Sequence, residues 1–248
     1  MSSGTDSVTS YGLTAVLASA SALLSTNHPS SPPPFIPVAE TPIPSTALCQ
    51  HINTYARSHL PEQTYNHSLR VYHYGLAIKR YRFPSWTFTD ETYFLSCLLH
   101  DIGTTDENLK RTRLSFEFYG GLLALDVLQK PDAGAGLSPE AVAPREQAES
   151  VAEAIIRHQD LCEVGKITAL GQLLQLATIF DNTGSYGDLV HPSTIEDVSK
   201  QFPRKQWSHC FAATIRRENG LKPWAHTTAL GEEAFPSKVL GNKLMLPY

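Results

Sequence analysis

The run Cys97-Leu98-Leu99-His100-Asp101-Ile102-Gly103 sets an imidazole and a carboxylate at the end of an apolar stretch, and any fold of this chain must give them partners. Apolar helix ends usually carry Lys, Arg or a Gly cap. A buried His-Asp dipeptide needs compensation, and a metal ion supplies it by neutralising the carboxylate and fixing the imidazole tautomer. The pattern around the dipeptide is helical. Leu69, Tyr72 and Leu76 form one apolar stripe and Val71, Tyr74 and Ile78 a neighbouring one, which predicts a helix over 65–81 covered on more than one side.

Further helices follow from the same periodicity. Ser45 or Thr46 caps one that runs to about His59, and Pro61 opens the next segment. Asp90 caps a helix through Leu99 to Asp101, ended by Gly103. Residues 114–128 read as helical with Gly120-Gly121 inside, a pair that close packing or substrate access would explain. Over 146–159, Val151, Ala154, Ile155 and His158 fall at i, i+3, i+4 and i+7, so His158 points with the core residues. Over 167–182, Leu170, Leu174, Thr178 and Asp181 share a face, and looser helices are expected at 193–202 and 210–219. Residues 132–144 are a loop by composition. No sustained period-two alternation appears, so the expected fold class is all-α.

Residues 1–45 are rich in Ser, Thr, Ala and Pro, and read as an extended N-terminal arm, draped over the surface or mobile. Residues 46–248 read as a single helical domain. A net charge of −4 with no basic run argues against nucleic acid as a partner. Four widely spaced cysteines, without a C-x-x-C, indicate a reducing compartment and a cytoplasmic location. No apolar run reaches the roughly 18–20 residues that span a bilayer, so no membrane partner is expected. Residues 12–25 imitate a signal-peptide core but lack a basic stretch before it. A homo-oligomer is an open expectation, because apolar residues near Phe202, Trp207 and Phe211 read equally as interface or core.

His67, His100, Asp101 and Asp181 are the candidate metal ligands, from three different expected helices. Two imidazoles and two carboxylates suit Zn, Fe, Mn, Co or Ni alike. A metal with an open position lowers the pKa of bound water to about 7. Taken singly, His67 and His158 read as hydrogen-bonded core histidines, and Asp181 as a turn residue before Asn182-Thr183-Gly184. Their order on separate helices favours a metal site.

The order His67…His100-Asp101…Asp181 resembles the HD-domain metal hydrolases, which implies an HD-type helical bundle. The runs 65–71 (YNHSLRV), 115–121 (SFEFYGG), 153–160 (EAIIRHQD) and 222–227 (KPWAHT) are similar to those of fungal cyanamide hydratases, over roughly residues 50 to 230. The resemblance implies hydration of cyanamide to urea by attack of metal-bound hydroxide on the nitrile carbon, with Zn2+ as the cofactor. Fe2+, Mn2+, Co2+ and Ni2+ fit the ligands as well. The implied partner is a small neutral nitrile. A phosphoester would need a cationic cluster, and the candidates Arg70, Lys110, Arg111, Arg113 and Arg157 form no evident one.

For proton transfer and donation the candidates are His158 and Thr178, with Asp101 as a poorer base. Tyr65, Asn66 and Phe118, together with His158 and Thr178, are expected to contact substrate. Phe118 and Trp224 read as pocket wall or as core, and His226 as a pocket residue or a loop cap. The rival readings are an HD-type phosphohydrolase acting on a nucleotide, a hydratase of another small nitrile, and a catalytically silent binding protein that keeps fold and metal.

Overall fold

In the computed structural model, which describes residues 7–26, 29–130 and 139–248, the N-terminal stretch folds back onto the body. A single-turn helix α1 (Ser7–Ser10) leads into β1 (Ala15–Leu17) and α2 (Ala20–Ser25). β1 pairs antiparallel with β2 (Lys166–Thr168), setting Ala15 opposite Thr168 and Leu17 opposite Lys166. Farther along, the Ile36 N–H donates to Thr194 Oγ1, and Thr41 Oγ1 bonds His73 Nδ1 at 2.7 Å. Prolines keep this strap extended, so its backbone groups are satisfied by the body instead of by a helix of its own.

Several of the main helices start where a side chain accepts an orphan N–H group, and others start after a proline. Thr46 Oγ1 accepts from the Cys49 N–H and opens α3 (Ala47–His59). Pro61, with its fixed φ, precedes α4 (Glu62–Arg82), the longest helix described. Every residue from Asn66 to Ile78 of α4 is buried, so this helix is the axis of the body. The cap of α5 (Asp90–Leu99) is Thr89, whose Oγ1 accepts from the Thr92 N–H, and not Asp90. Asp90 instead stands in the first turn, where a carboxylate suits the helix dipole.

After α5 the chain turns through His100-Asp101 into a 3-10 turn at Ile102–Thr104 and a short α6 (Asp106–Arg111). Gly103 permits this turn, because a Cβ there would lie 2.1 Å from the Phe116 carbonyl oxygen. α7 (Phe116–Gln129) and α8 (Arg145–Arg157) then pack closely. A Cβ on Gly121 would meet Ile156 Cγ1 at 2.5 Å, so close packing accounts for this member of the glycine pair. The expected loop over 132–144 lies outside the described residues as far as 138, and Pro139–Ala141 form a 3-10 turn.

α9 (Ala169–Thr183), capped by Thr168, lies against α4 and is buried from Ala169 to Asn182. α10 (Pro192–Gln201), α11 (Trp207–Leu221) and α12 (Ala234–Leu240) complete the fold. Trp207, Phe211 and Ile215 of α11 form a small apolar cluster with Phe235 and Val239 of α12, so Trp207 and Phe211 are core residues. Apart from the paired three-residue strands, the described residues are helical and looped, as the periodicity predicts. A membrane-crossing helix is absent among the described residues.

Candidate metal centre

Three elements bring the site together. His67 lies on the buried α4, and His100 and Asp101 lie where α5 gives way to the 3-10 turn. All three are at most 1 % exposed. His100 Nε2 stands 3.2 Å from His67 Nε2 and 3.2 Å from Asp101 Oδ2, and His67 Nε2 is 3.7 Å from the same oxygen.

The hydrogen bonds at the far sides of the rings fix what these atoms carry. His100 Nδ1 donates to the Cys97 carbonyl at 2.8 Å, and His67 Nδ1 donates to Asp181 Oδ2 at 2.6 Å. In neutral rings each Nε2 is then a bare lone pair. Neither oxygen of Asp101 has a hydrogen-bond partner, although both are buried. Lone pairs and a carboxylate facing one another at such distances repel unless a cation lies among them. The donor set of two imidazoles and a carboxylate is that of a divalent metal site with open positions. These residues therefore fit the ion that the sequence implied.

Asp181 does not join them. Its carboxylate accepts from Arg70 Nη2 at 2.9 Å and from Arg204 Nη1 at 2.6 Å, as well as from His67 Nδ1. It therefore stands behind the His67 ring, on the side away from His100 and Asp101. The expectation of a fourth ligand is corrected to that of a carboxylate orienting His67 from its far nitrogen. Asn242 Nδ2 donates to the Asp181 carbonyl, and Trp207 stacks on His67 with ring centroids 4.2 Å apart. Burial pushes the Asp181 carboxyl up, but Arg204, Arg70 and His67 outweigh it and hold it well below the usual range.

Around the ligand group, burial lowers the His67 pKa to about 4, even against the raising effect of Asp181. Burial also pushes the Asp101 carboxyl up, but His100 and His67 bring it to about 2. His158, the C-cap of α8, is 2 % exposed and meets the His100 ring edge-on, with centroids 5.2 Å apart. Its Nδ1 donates to the Ile155 carbonyl at 2.7 Å, which leaves Nε2 as an acceptor. Burial, reinforced by His100, lowers its pKa, which favours the neutral ring.

The other expected site residues divide. Thr178 is buried one turn before Asp181, and its hydroxyl donates back to the Leu174 carbonyl at 2.9 Å. Tyr65 turns its hydroxyl to Asn53 of α3 at 2.8 Å, and Asn66 donates to the Pro203 carbonyl at 3.0 Å. Each of these polar groups is thus engaged by a protein partner outside the ligand group. Phe118 stacks on His226, whose Nδ1 donates to Glu117 Oε1 at 2.7 Å. Trp224 is 61 % exposed, so it is not a core residue, and its Nε1 donates to the Arg113 carbonyl. Of the five candidate cations, Arg70 is engaged by Asp181, and Lys110, Arg111 and Arg113 are exposed. Arg157 is paired with Asp160.

Sequence reasoning assigned no role at the site to Arg204, Trp207 or Glu117. Arg204 and Trp207 reach the site from a segment more than 130 residues beyond His67. Nothing local marks them. Glu117 stood inside a noted motif, and its position between two aromatics was the available signal.

A helical body in which one helix faces a His-Asp turn across a cluster of metal-binding lone pairs defines the HD class of metal-site proteins. The HD domain matches residues 64–183. Cyanamide hydratase DDI2 and cyanamide hydratase DDI3 of Saccharomyces cerevisiae are each 43 % identical to the chain over 206 residues, 83 % of this chain and 87 % of each relative. The chain belongs to the cyanamide hydratase family of HD-domain proteins.

Proposed function

We propose that this protein hydrates cyanamide to urea at a divalent metal centre held by His67, His100 and Asp101. The observation that carries the reading is the convergence of the His67 and His100 Nε2 atoms with the Asp101 carboxylate beside the buried His158, with the Arg70 and Arg204 guanidiniums both bound to Asp181. An anionic phosphoester would find no free guanidinium there. A small neutral nitrile needs none.

When bound, the ion supplies Lewis acidity, lowering the pKa of a coordinated water to about 7. The chain's own groups handle the protons. His158 Nε2 takes a proton from the attacking water and returns it to the nitrile nitrogen, while Nδ1 stays anchored on the Ile155 carbonyl. A second proton shift within the resulting isourea gives urea, so the reaction consumes water and leaves no net proton. Thr178, whose own proton is spent on its helix, can only accept, and orients water or substrate through its lone pairs. Asp181 holds His67 in the tautomer that presents Nε2.

Zinc is the metal we assign, on the family resemblance. The four cysteines are free, which supports a cytoplasmic setting. Neither a nucleic-acid nor a membrane partner is part of this reading. The test is a substrate panel on metal-loaded protein: cyanamide, simple aliphatic nitriles, and nucleoside monophosphates. Urea from cyanamide without phosphate release is expected. Phosphate release with no urea would replace this reading with a phosphohydrolase.

A further inference from the structure

Among the described residues, three buried carboxylate oxygens have no hydrogen-bond partner: both oxygens of Asp101 and Oε2 of Glu117. The metal accounts for the first two. Glu117 needs its own explanation, because its side chain is fully buried in the first turn of α7. Its neighbour Glu218 shows what a structural carboxylate looks like here. Glu218 Oε1 accepts from the Phe116 N–H at 2.7 Å, and Oε2 accepts from Thr227 at 3.1 Å. Glu117 has only His226, on Oε1.

Its helix packs beside the metal centre. Gly120, one turn on and on the same face of α7, brings the backbone close enough that its Cβ would lie 3.7 Å from the His100 carbonyl and 3.5 Å from Ile155. Phe116, the preceding residue, meets the His158 ring edge-on at 5.6 Å. The charge of Glu117 acts on Glu218 and Lys222 and, behind burial, His100 and Asp101, on His158. On the other side His226, 29 % exposed, closes the dyad toward solvent, stacked on Phe118. Glu117 thus lies between a partly exposed histidine and the part of α7 that packs on His100 and His158, with one oxygen spoken for.

Resting on the proposed hydration of cyanamide, we infer that Glu117 Oε2 is the acceptor for the amino group of the substrate and sets the specificity of the site. The heavy atoms of cyanamide are linear, with the nitrile nitrogen at one end, two N–H donors at the other and the electrophilic carbon between them. A buried carboxylate oxygen complements those donors and rejects linear molecules that present lone pairs there, since pairing would be lost and like charges would meet. His226 orients the carboxylate through Oε1. The arrangement selects a neutral aminonitrile over an anion of the same shape.

The probe is cyanate, which matches cyanamide in length but carries a negative oxygen in place of the amino group. Wild-type protein should show a cyanate Ki at least about tenfold weaker than the KM for cyanamide, the scale of one charge-assisted hydrogen bond. In Glu117→Gln, the amide oxygen can keep His226 while its N–H₂ faces inward. The KM for cyanamide should rise about tenfold or more, and the cyanate Ki should fall by a similar factor. Opposite movements are a signature that general damage would not produce. Both constants weakening together, or neither moving, would overturn the assignment, as would tight cyanate inhibition of the wild type, which needs no variant. Wild-type protein that makes no urea from cyanamide would instead remove the reading beneath it.

Discussion

Replacing Asp181 with Asn isolates the contribution of the carboxylate behind His67. The change keeps the shape of the side chain and removes its charge. Two guanidiniums, Arg70 at 2.9 Å and Arg204 at 2.6 Å, would lose their buried counter-charge, and the His67 Nδ1–H its ionised acceptor. Breaking a buried ion pair by removing one partner costs about 3–5 kcal/mol. For a domain of this size that is a fall in Tm of roughly 6–20 °C, at about 2–4 °C per kcal/mol. Because Asp181 orients a ligand without being one, metal affinity should fall by about 10–100-fold and remain measurable. Thermal unfolding of chelated protein reads the first effect, and a metal-competition titration the second. A loss under about 1 kcal/mol would refute the buried-network argument. Complete loss of metal binding from a folded variant would restore Asp181 as a ligand.

Three further predictions bear on separate parts of the account. His158→Ala should retain its metal, by elemental analysis, and lose about 100-fold or more in kcat, the range of general acid–base catalysis; unchanged turnover would make it a packing residue. His226 has its pKa raised by Glu117, so the stability it gives is complete below its unfolded value near 6.5 and fades as pH rises through the folded value. The stability gap between wild type and His226→Gln, from denaturant titrations, should therefore be larger at pH 6 than at pH 9; the reverse order would contradict the pairing. Gly121→Ala should destabilise by about 1–3 kcal/mol from overpacking against Ile156, despite gaining helix propensity of about 1 kcal/mol, and an unchanged Tm would show that the α7–α8 contact yields freely.

What the sequence made readable was local. The apolar run ending in His100-Asp101 declared a buried pair, and the stripes flanking His67 declared a helix covered on several sides. Helical spacing placed Asp181 on the core-facing side of α9, but face alone does not tell which edge of the His67 ring a carboxylate will meet. Arg70 and Arg204 decide that, and they converge only in the folded chain. Tyr65 and Asn66 were drawn to the site by their proximity to His67 in sequence, and the partners they take, Asn53 and the Pro203 carbonyl, are not legible there. Thr89 and Asp90 are both good N-caps, and the backbone selected the first. The β1–β2 pair was invisible because three residues are too few to establish alternation, and it joins segments about 150 residues apart.

The central claim is that a metal held by His67, His100 and Asp101 is required to make urea from cyanamide. Urea formation should be measured on purified protein as isolated, after chelation, and after adding back one divalent metal. The account predicts activity that disappears on chelation and returns with the metal in wild type, but not in His100→Ala or Asp101→Ala. Urea production that survives complete removal of the metal would contradict it.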